Sequence, residues 1–308
     1  MKHTSKPSLD VEVGPLRLKN PLLTASGTFG YGAEYAGFMD LNCLGALIVK
    51  GLSLKPRPGN PPPRIMETAG GMLNAIGLEN VGVKAFIAEK LPFLQDFSVP
   101  VIANIFGETV EEYQEIAALL ERAEGICALE LNISCPNVKK GGVAFGADPA
   151  LAAEVTKRVK SVTSLPLIVK LTPNVTDITL IAESVAAAGA DVLSLINTIT
   201  GMSVDVKRRI PHLANITGGL SGPAIKPIAL RMVWQVVNRV EIPVIGCGGI
   251  ATAEDALEFL IVGARAVQVG TANFITPTAI PDILKGLEAF LADQKLAAID
   301  EIIGTLNC

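Results

Sequence analysis

Cysteines stand at positions 43, 127, 135, 247 and 308, and one of them is placed where a thiol could do chemistry. Cys135 closes the run Glu130-Leu-Asn-Ile-Ser-Cys135-Pro136-Asn137, an apolar strand halted by a proline. Gly141-Gly142 then gives the next residues hinge freedom to close over a site and exclude water. A thiolate can act as nucleophile or as base. The chain holds only two histidines, His3 near its start and His212 in a long insertion. A cysteine–histidine pair for acyl transfer therefore has little to be built from, and proton abstraction by a lone thiol is the expected role of Cys135. Cys43, Cys127 and Cys247 read as small hydrophobes and Cys308 as a terminal thiol. No metal-type spacing occurs among the five, and reduced thiols are expected.

A second set of polar residues falls at the ends of apolar runs: Ser26, Lys50, Asn104, Asn132, Lys170 and Asn197-Thr198. A single Asn or Ser at such a place is ordinarily a turn or cap residue. Two lysines are harder to account for, because a buried ammonium is costly unless an anionic or electron-rich partner meets it. The last two runs end in Gly248-Gly249 and Gly270-Thr271, glycine-rich turns with free backbone N–H groups. After the seventh and eighth strands of a barrel such turns form the usual phosphate site, although glycines also simply permit tight turns. A phosphate cradle, amide side chains and a lysine that could stabilise a reduced ring at its N1/O2 edge together suit a flavin mononucleotide, FMN.

These residues need a scaffold that brings strand ends to one place. Eight short β-rich runs recur: 21–26, 46–50, 99–105, 128–134, 165–171, 191–197, 242–246 and 266–270. Helix signals lie between them, among them Thr109-Val-Glu-Glu, Asp148-Pro149 and Thr252-Ala-Glu-Asp. Eight β-then-α units predict a parallel (β/α)8 barrel. Residues 11–18 predict a hairpin suited to plugging its bottom. Insertions after the second, fourth and sixth strands, the longest being 51–79 and 199–223, would rise over the catalytic face. One domain over 1–308 is expected. Hydrophobic residues make up 49% and charged residues 18%, as buried strands require. The net charge of -4, with no basic cluster, argues against nucleic acid. No segment has the length and apolarity of a signal peptide or membrane span, and a cytoplasmic protein is expected.

Asn132-Ile-Ser-Cys135-Pro-Asn137, Asn74-Ala-Ile-Gly77-Leu78-Glu-Asn80 and Ile245-Gly-Cys-Gly-Gly249, with Val49-Lys50-Gly51 and Ile196-Asn197-Thr198, resemble the dihydroorotate dehydrogenases. Their order spans nearly the whole chain, and their joint occurrence is specific although no single one is. The resemblance implies oxidation of (S)-dihydroorotate to orotate in pyrimidine biosynthesis, with Cys135 taking a C5 proton while the C6 hydride passes to flavin N5. It implies FMN contacts from Ser26, Lys50, Gly51, Asn104, Asn132, Lys170, Ile196, Gly222, Gly248, Gly249, Gly270 and Thr271. It implies substrate contacts from Lys50, Asn74, Ala75, Ile76, Gly77, Leu78, Asn132, Asn197 and Thr198.

Cysteine as the base resembles the cytosolic class 1 enzymes rather than the membrane-bound class 2. The wording Pro63-Arg64-Ile-Met-Glu67-Thr68 and Gly71-Met72-Leu-Asn74 is similar to class 1B, the NAD-linked kind. That class implies a partner, an iron–sulfur flavoprotein subunit with FAD and a [2Fe–2S] cluster, in a heterotetramer of two catalytic and two partner chains. This chain has no cysteine cluster for such a centre. Three alternatives remain at this stage: a fumarate-linked class 1A enzyme, a dihydropyrimidine dehydrogenase-like flavoprotein, and a flavin-free phosphate-binding barrel lyase or isomerase.

Overall fold

The computed structural model describes residues 6–134 and 144–307. The eight apolar runs form eight parallel strands: β1 (Leu22–Thr24), β2 (Leu47–Ile48), β3 (Val101–Ile105), β4 (Ile126–Asn132), β5 (Leu167–Leu171), β6 (Val192–Leu195), β7 (Val244–Cys247) and β8 (Ala266–Val269). They neighbour one another in the order β1-β8-β7-β6-β5-β4-β3-β2. A bridge between Leu23 and Ala46 brings the two ends together, and the sheet closes into the expected (β/α)8 barrel. Every residue of β3 and β5 is buried, which is why these runs are largely aliphatic instead of alternating with polar residues.

The seam between β1 and β2 has the least backbone pairing, and a side chain completes it. Thr24 Oγ1 accepts from Ile48 N at 2.8 Å and donates to Ile48 O at 3.1 Å. Both residues are fully buried, so water cannot replace either bond. Thr24→Val keeps the shape but orphans a buried N–H and C=O. It is expected to lower unfolding free energy by about 2 kcal/mol, read from urea denaturation. An unchanged midpoint would mean that the seam re-pairs through backbone.

Capping side chains mark where several of the helices start. Thr109 accepts from Glu112 N at 3.3 Å and opens α1 (Val110–Leu120). Asp148 accepts from Leu151 N at 2.9 Å and opens α2 (Pro149–Lys160), with proline in the first turn. Asp177 caps α3 (Ile178–Ala187). After α4 (Lys226–Val237), Thr252 and Asp255 form a reciprocal capping box on α5 (Ala253–Ile261), and α6 (Ala279–Gln294) completes the ring.

The hairpin of Val11–Val13 and Leu16–Leu18 forms as expected, with Val11, Val13, Leu16 and Leu18 buried and Glu12 and Arg17 turned out. A side chain at Gly14 would come within 3.2 Å of Asp191 O, at the start of β6, so the turn packs under the N-terminal end of the barrel. At the opposite end the insertions after β2 and β6 do something their sequences do not announce. Their strands pair with each other, antiparallel, in one four-stranded sheet ordered Ile199–Met202, Thr217–Ser221, Gly71–Asn74, Ile65–Thr68. This sheet stands beside the strand C-termini and walls one side of the mouth.

Candidate active site

The barrel mouth and the four-stranded sheet enclose a cavity of about 640 Å³. Its size lies in the range of small-molecule and cofactor sites, and its position is the catalytic face of this architecture. Ser26, Lys50, Gly51, Asn104, Asn132, Lys170, Ile196, Asn197 and Thr198 reach it from the ends of β1 to β6. Gly248, Gly249, Gly270 and Thr271 reach it from the turns after β7 and β8, and Asn74 to Leu78 and Gly222 from the insertions. Cys135 and its Gly141-Gly142 loop lie outside the described residues, although β4 carries the chain to Ser134 at the cavity wall.

The amide groups at the mouth are held in place. Asn197 Nδ2 donates to Ser134 Oγ at 2.9 Å and Asn132 Oδ1 at 3.3 Å, while its Oδ1 accepts from Thr198 N at 2.8 Å. Asn132 Oδ1 also accepts from Ser134 N at 3.1 Å, which leaves its NH2 as the group to offer a ligand. Tyr113 Oη on α1 fixes the same turn by donating to Asn132 O at 2.7 Å. Asn74 Nδ2 donates to Gly219 O at 3.3 Å across the four-stranded sheet.

The glycine cradle is a steric requirement. Gly249 has φ +78, and a Cβ there would lie 2.6 Å from Lys226 Cβ at the start of α4. Gly248 has φ +126, and its Cβ would lie 2.9 Å from Ala229 Cβ. Thr271 Oγ1 donates to Ser221 Oγ at 2.8 Å, tying the turn after β8 to the insertion after β6.

Below the mouth lies a buried polar layer that strand-end reasoning missed. Glu130, Ser194 and Gln268 sit inside β4, β6 and β8 with at most 1% exposure, beside Asn104 and Lys170. Lys170 Nζ donates to Gln268 Oε1 at 2.8 Å and lies 3.6 Å from Glu130 Oε1. Burial pulls the Lys170 pKa down, but the Glu130 carboxylate more than reverses this and the net shift is upward. A signal was available: Glu130 and Asn132 are two apart on one strand and share a face.

The described cysteines are free, and burial pushes Cys127 up to about 12 and Cys247 above the ordinary thiol range, consistent with inert roles. His212 is half-buried and bonded to Ser203 Oγ at 3.0 Å within the insertion. Among the described residues no cluster of His, Cys, Asp and Glu could hold a metal, and no helix is long and apolar enough to cross a membrane.

Residues 8–291 match the dihydroorotate dehydrogenase family. The chain is 58% identical to the dihydroorotate dehydrogenase B (NAD(+)) catalytic subunit of Citrifermentans bemidjiense, over 98% of this chain and 99% of that protein. Proteins of the same description from Pelobacter propionicus and Geobacter sulfurreducens are each 59% identical, over 98% of this chain and 100% and 99% of theirs.

Proposed function

The chain belongs to the dihydroorotate dehydrogenase family, and from that premise we propose that it is the catalytic subunit of an NAD-linked enzyme, with FMN and substrate meeting in the barrel mouth. The whole chain serves as one flavin-binding barrel, in the cytoplasm. The observation that carries this reading is the convergence of Lys50, Lys170, four asparagines and the glycine turns on one cavity.

The residues present fit FMN. Gly248 and Gly249 leave the close backbone approach that a phosphate needs at the turns after β7 and β8. Asn104 Oδ1 is buried without a partner at the cavity, as expected of an acceptor that awaits a ring N–H. When bound, FMN supplies the acceptor for the C6 hydride. Asn132 and Asn197, with Asn74 opposite, orient the two ring amides of dihydroorotate, and Lys50 holds its carboxylate. Cys135, which follows β4 in the sequence, takes the C5 proton. A partner subunit holding FAD and a [2Fe–2S] cluster would supply the route for electrons to NAD, in a heterotetramer of two chains of each kind.

The test is purification alone and with such a partner. The expected protein is yellow, oxidises dihydroorotate with an artificial acceptor in preference to dihydrouracil, and reduces NAD only when the partner is present. A colourless protein with no dihydroorotate turnover overturns the reading, and NAD reduction by this chain alone overturns the two-subunit part.

Lys50 gives this reading a pH signature. Burial lowers its pKa below the ordinary lysine value, opposed by Glu79 and assisted by Arg64. Only the protonated form holds a carboxylate, so KM for dihydroorotate should rise as pH climbs through that lowered pKa, earlier than for an exposed lysine. Lys50→Arg, which stays charged, should flatten the profile whatever it does to the absolute KM. A wild-type KM that stays constant until pH reaches the ordinary lysine range would assign carboxylate binding elsewhere.

A further inference from the structure

Glu130 sits in the middle of β4 with no exposed surface, where the proposed reaction calls for no carboxylate. Four strands turn donors toward it. Asn104 Nδ2 donates to Oε1 at 2.7 Å, and Lys170 Nζ lies 3.6 Å from the same oxygen. Ser194 Oγ donates to Oε2 at 2.9 Å, and Gln268 Nε2 donates to it as well. Gln268 accepts from Lys170 through its other amide atom, so the contacts close on themselves. A buried carboxylate persists only with such compensation, and among the described residues Lys170 is its ion-pair partner.

An ionised carboxylate accepts and cannot donate, so it dictates how its neighbours face. Asn104 must give it Nδ2, which leaves Oδ1 as the atom without a partner. That oxygen borders Gly51, where a Cβ would lie 2.8 Å away, so the absence of a side chain there keeps it open. Lys170 carries three N–H bonds; Gln268 takes one and Glu130 draws a second, which leaves one for the cavity that both side chains line.

We propose that Glu130 is a positioning residue that fixes this pattern, one acceptor from Asn104 and one cationic donor from Lys170, and thereby selects the ring edge the mouth admits. The matching edge offers an N–H beside a carbonyl or imine acceptor, as on the pyrimidine half of an isoalloxazine; the inference rests on the flavin reading above. Among the described residues the titratable groups facing Lys170 are Glu130 on β4 and Cys247 on β7, while its neighbours Gln268 on β8 and Ser194 on β6 carry no charge. With the carboxylate gone, the main influence opposing burial is removed, and the Lys170 charge is lost at lower pH than in the wild type.

The experiment titrates FMN into flavin-stripped full-length protein and reads Kd from flavin fluorescence between pH 6 and 9. Wild-type affinity is expected to be flat in this range. Glu130→Gln should bind about tenfold weaker or worse at pH 7 and weaken further as pH rises. The swap Glu130→Gln with Asn104→Asp moves the carboxylate one place, lets Gln at 130 donate to Asp at 104, and keeps an acceptor at the mouth, so it should recover most of the loss. Ser194→Ala removes a donor from the other carboxylate oxygen. It should lower Tm while leaving the Kd and its pH profile in place.

Glu130→Gln binding within about twofold of wild type and flat with pH overturns the assignment. So does Ser194→Ala weakening FMN as much as Glu130→Gln, which would mark the layer as structural only. Should Glu130→Gln fail to fold, the swap decides: folded with near-wild-type affinity supports the assignment, folded without FMN overturns it. Wild-type protein that takes up no FMN overturns the flavin reading and this inference together; wild-type binding with an indifferent Glu130→Gln overturns this inference alone.

Discussion

Cys135→Ala is expected to retain FMN and lose about 10²–10⁴-fold in turnover of dihydroorotate at neutral pH, the span a positioned general base ordinarily contributes. Cys135→Ser tests the same role from another side. A hydroxyl ionises far less readily than a thiol, so the serine variant should be slow at pH 7 and recover as pH rises, whereas the alanine variant should not. Stopped-flow reduction of the bound flavin by dihydroorotate reads the step directly. Full turnover of Cys135→Ala at neutral pH would place the base elsewhere, and the half-buried His212, held by Ser203, is poorly suited to replace it.

Lys170→Met carries the largest expected cost in stability, about 3–5 kcal/mol, because it leaves the Glu130 carboxylate buried without its cation. The pH dependence of that deficit has a definite sign. The folded-state pKa of Lys170 is raised, so its contribution is complete below the unfolded value of about 10.4 and fades only as pH climbs through the folded one. The deficit should therefore be the same at pH 6 and pH 9 by urea denaturation. A loss under about 1 kcal/mol would show that Glu130 is relieved by other donors. The same variant should bind FMN weakly, since a thioether offers no donor to a ring.

Much of this was legible because barrel strands announce themselves. Continuous β-branched runs ending in Lys50, Asn104, Asn132, Lys170 and Asn197 gave both the strand count and the cavity lining, and cap residues such as Thr109, Asp148 and Thr252 marked helix starts to within a residue. Two things were not legible. The layer formed by Glu130, Ser194 and Gln268 lies within otherwise apolar runs, and no local property of Ser194 or Gln268 links it to a carboxylate two or more strands away. The pairing of Gly71–Asn74 with Thr217–Ser221 joins segments almost 150 residues apart through glycine-rich strands, and register of that kind leaves no periodic trace.

That pairing also defines what can be exchanged between relatives. Each insertion supplies the other with a hydrogen-bonding edge, so deleting either one would bare the Gly71–Asn74 or Thr217–Ser221 strand and invite association with another molecule. A chimaera that imports one insertion alone inherits a mismatched half. The transplantable module is the pair, and substrate selectivity should travel between barrels as a two-part cassette.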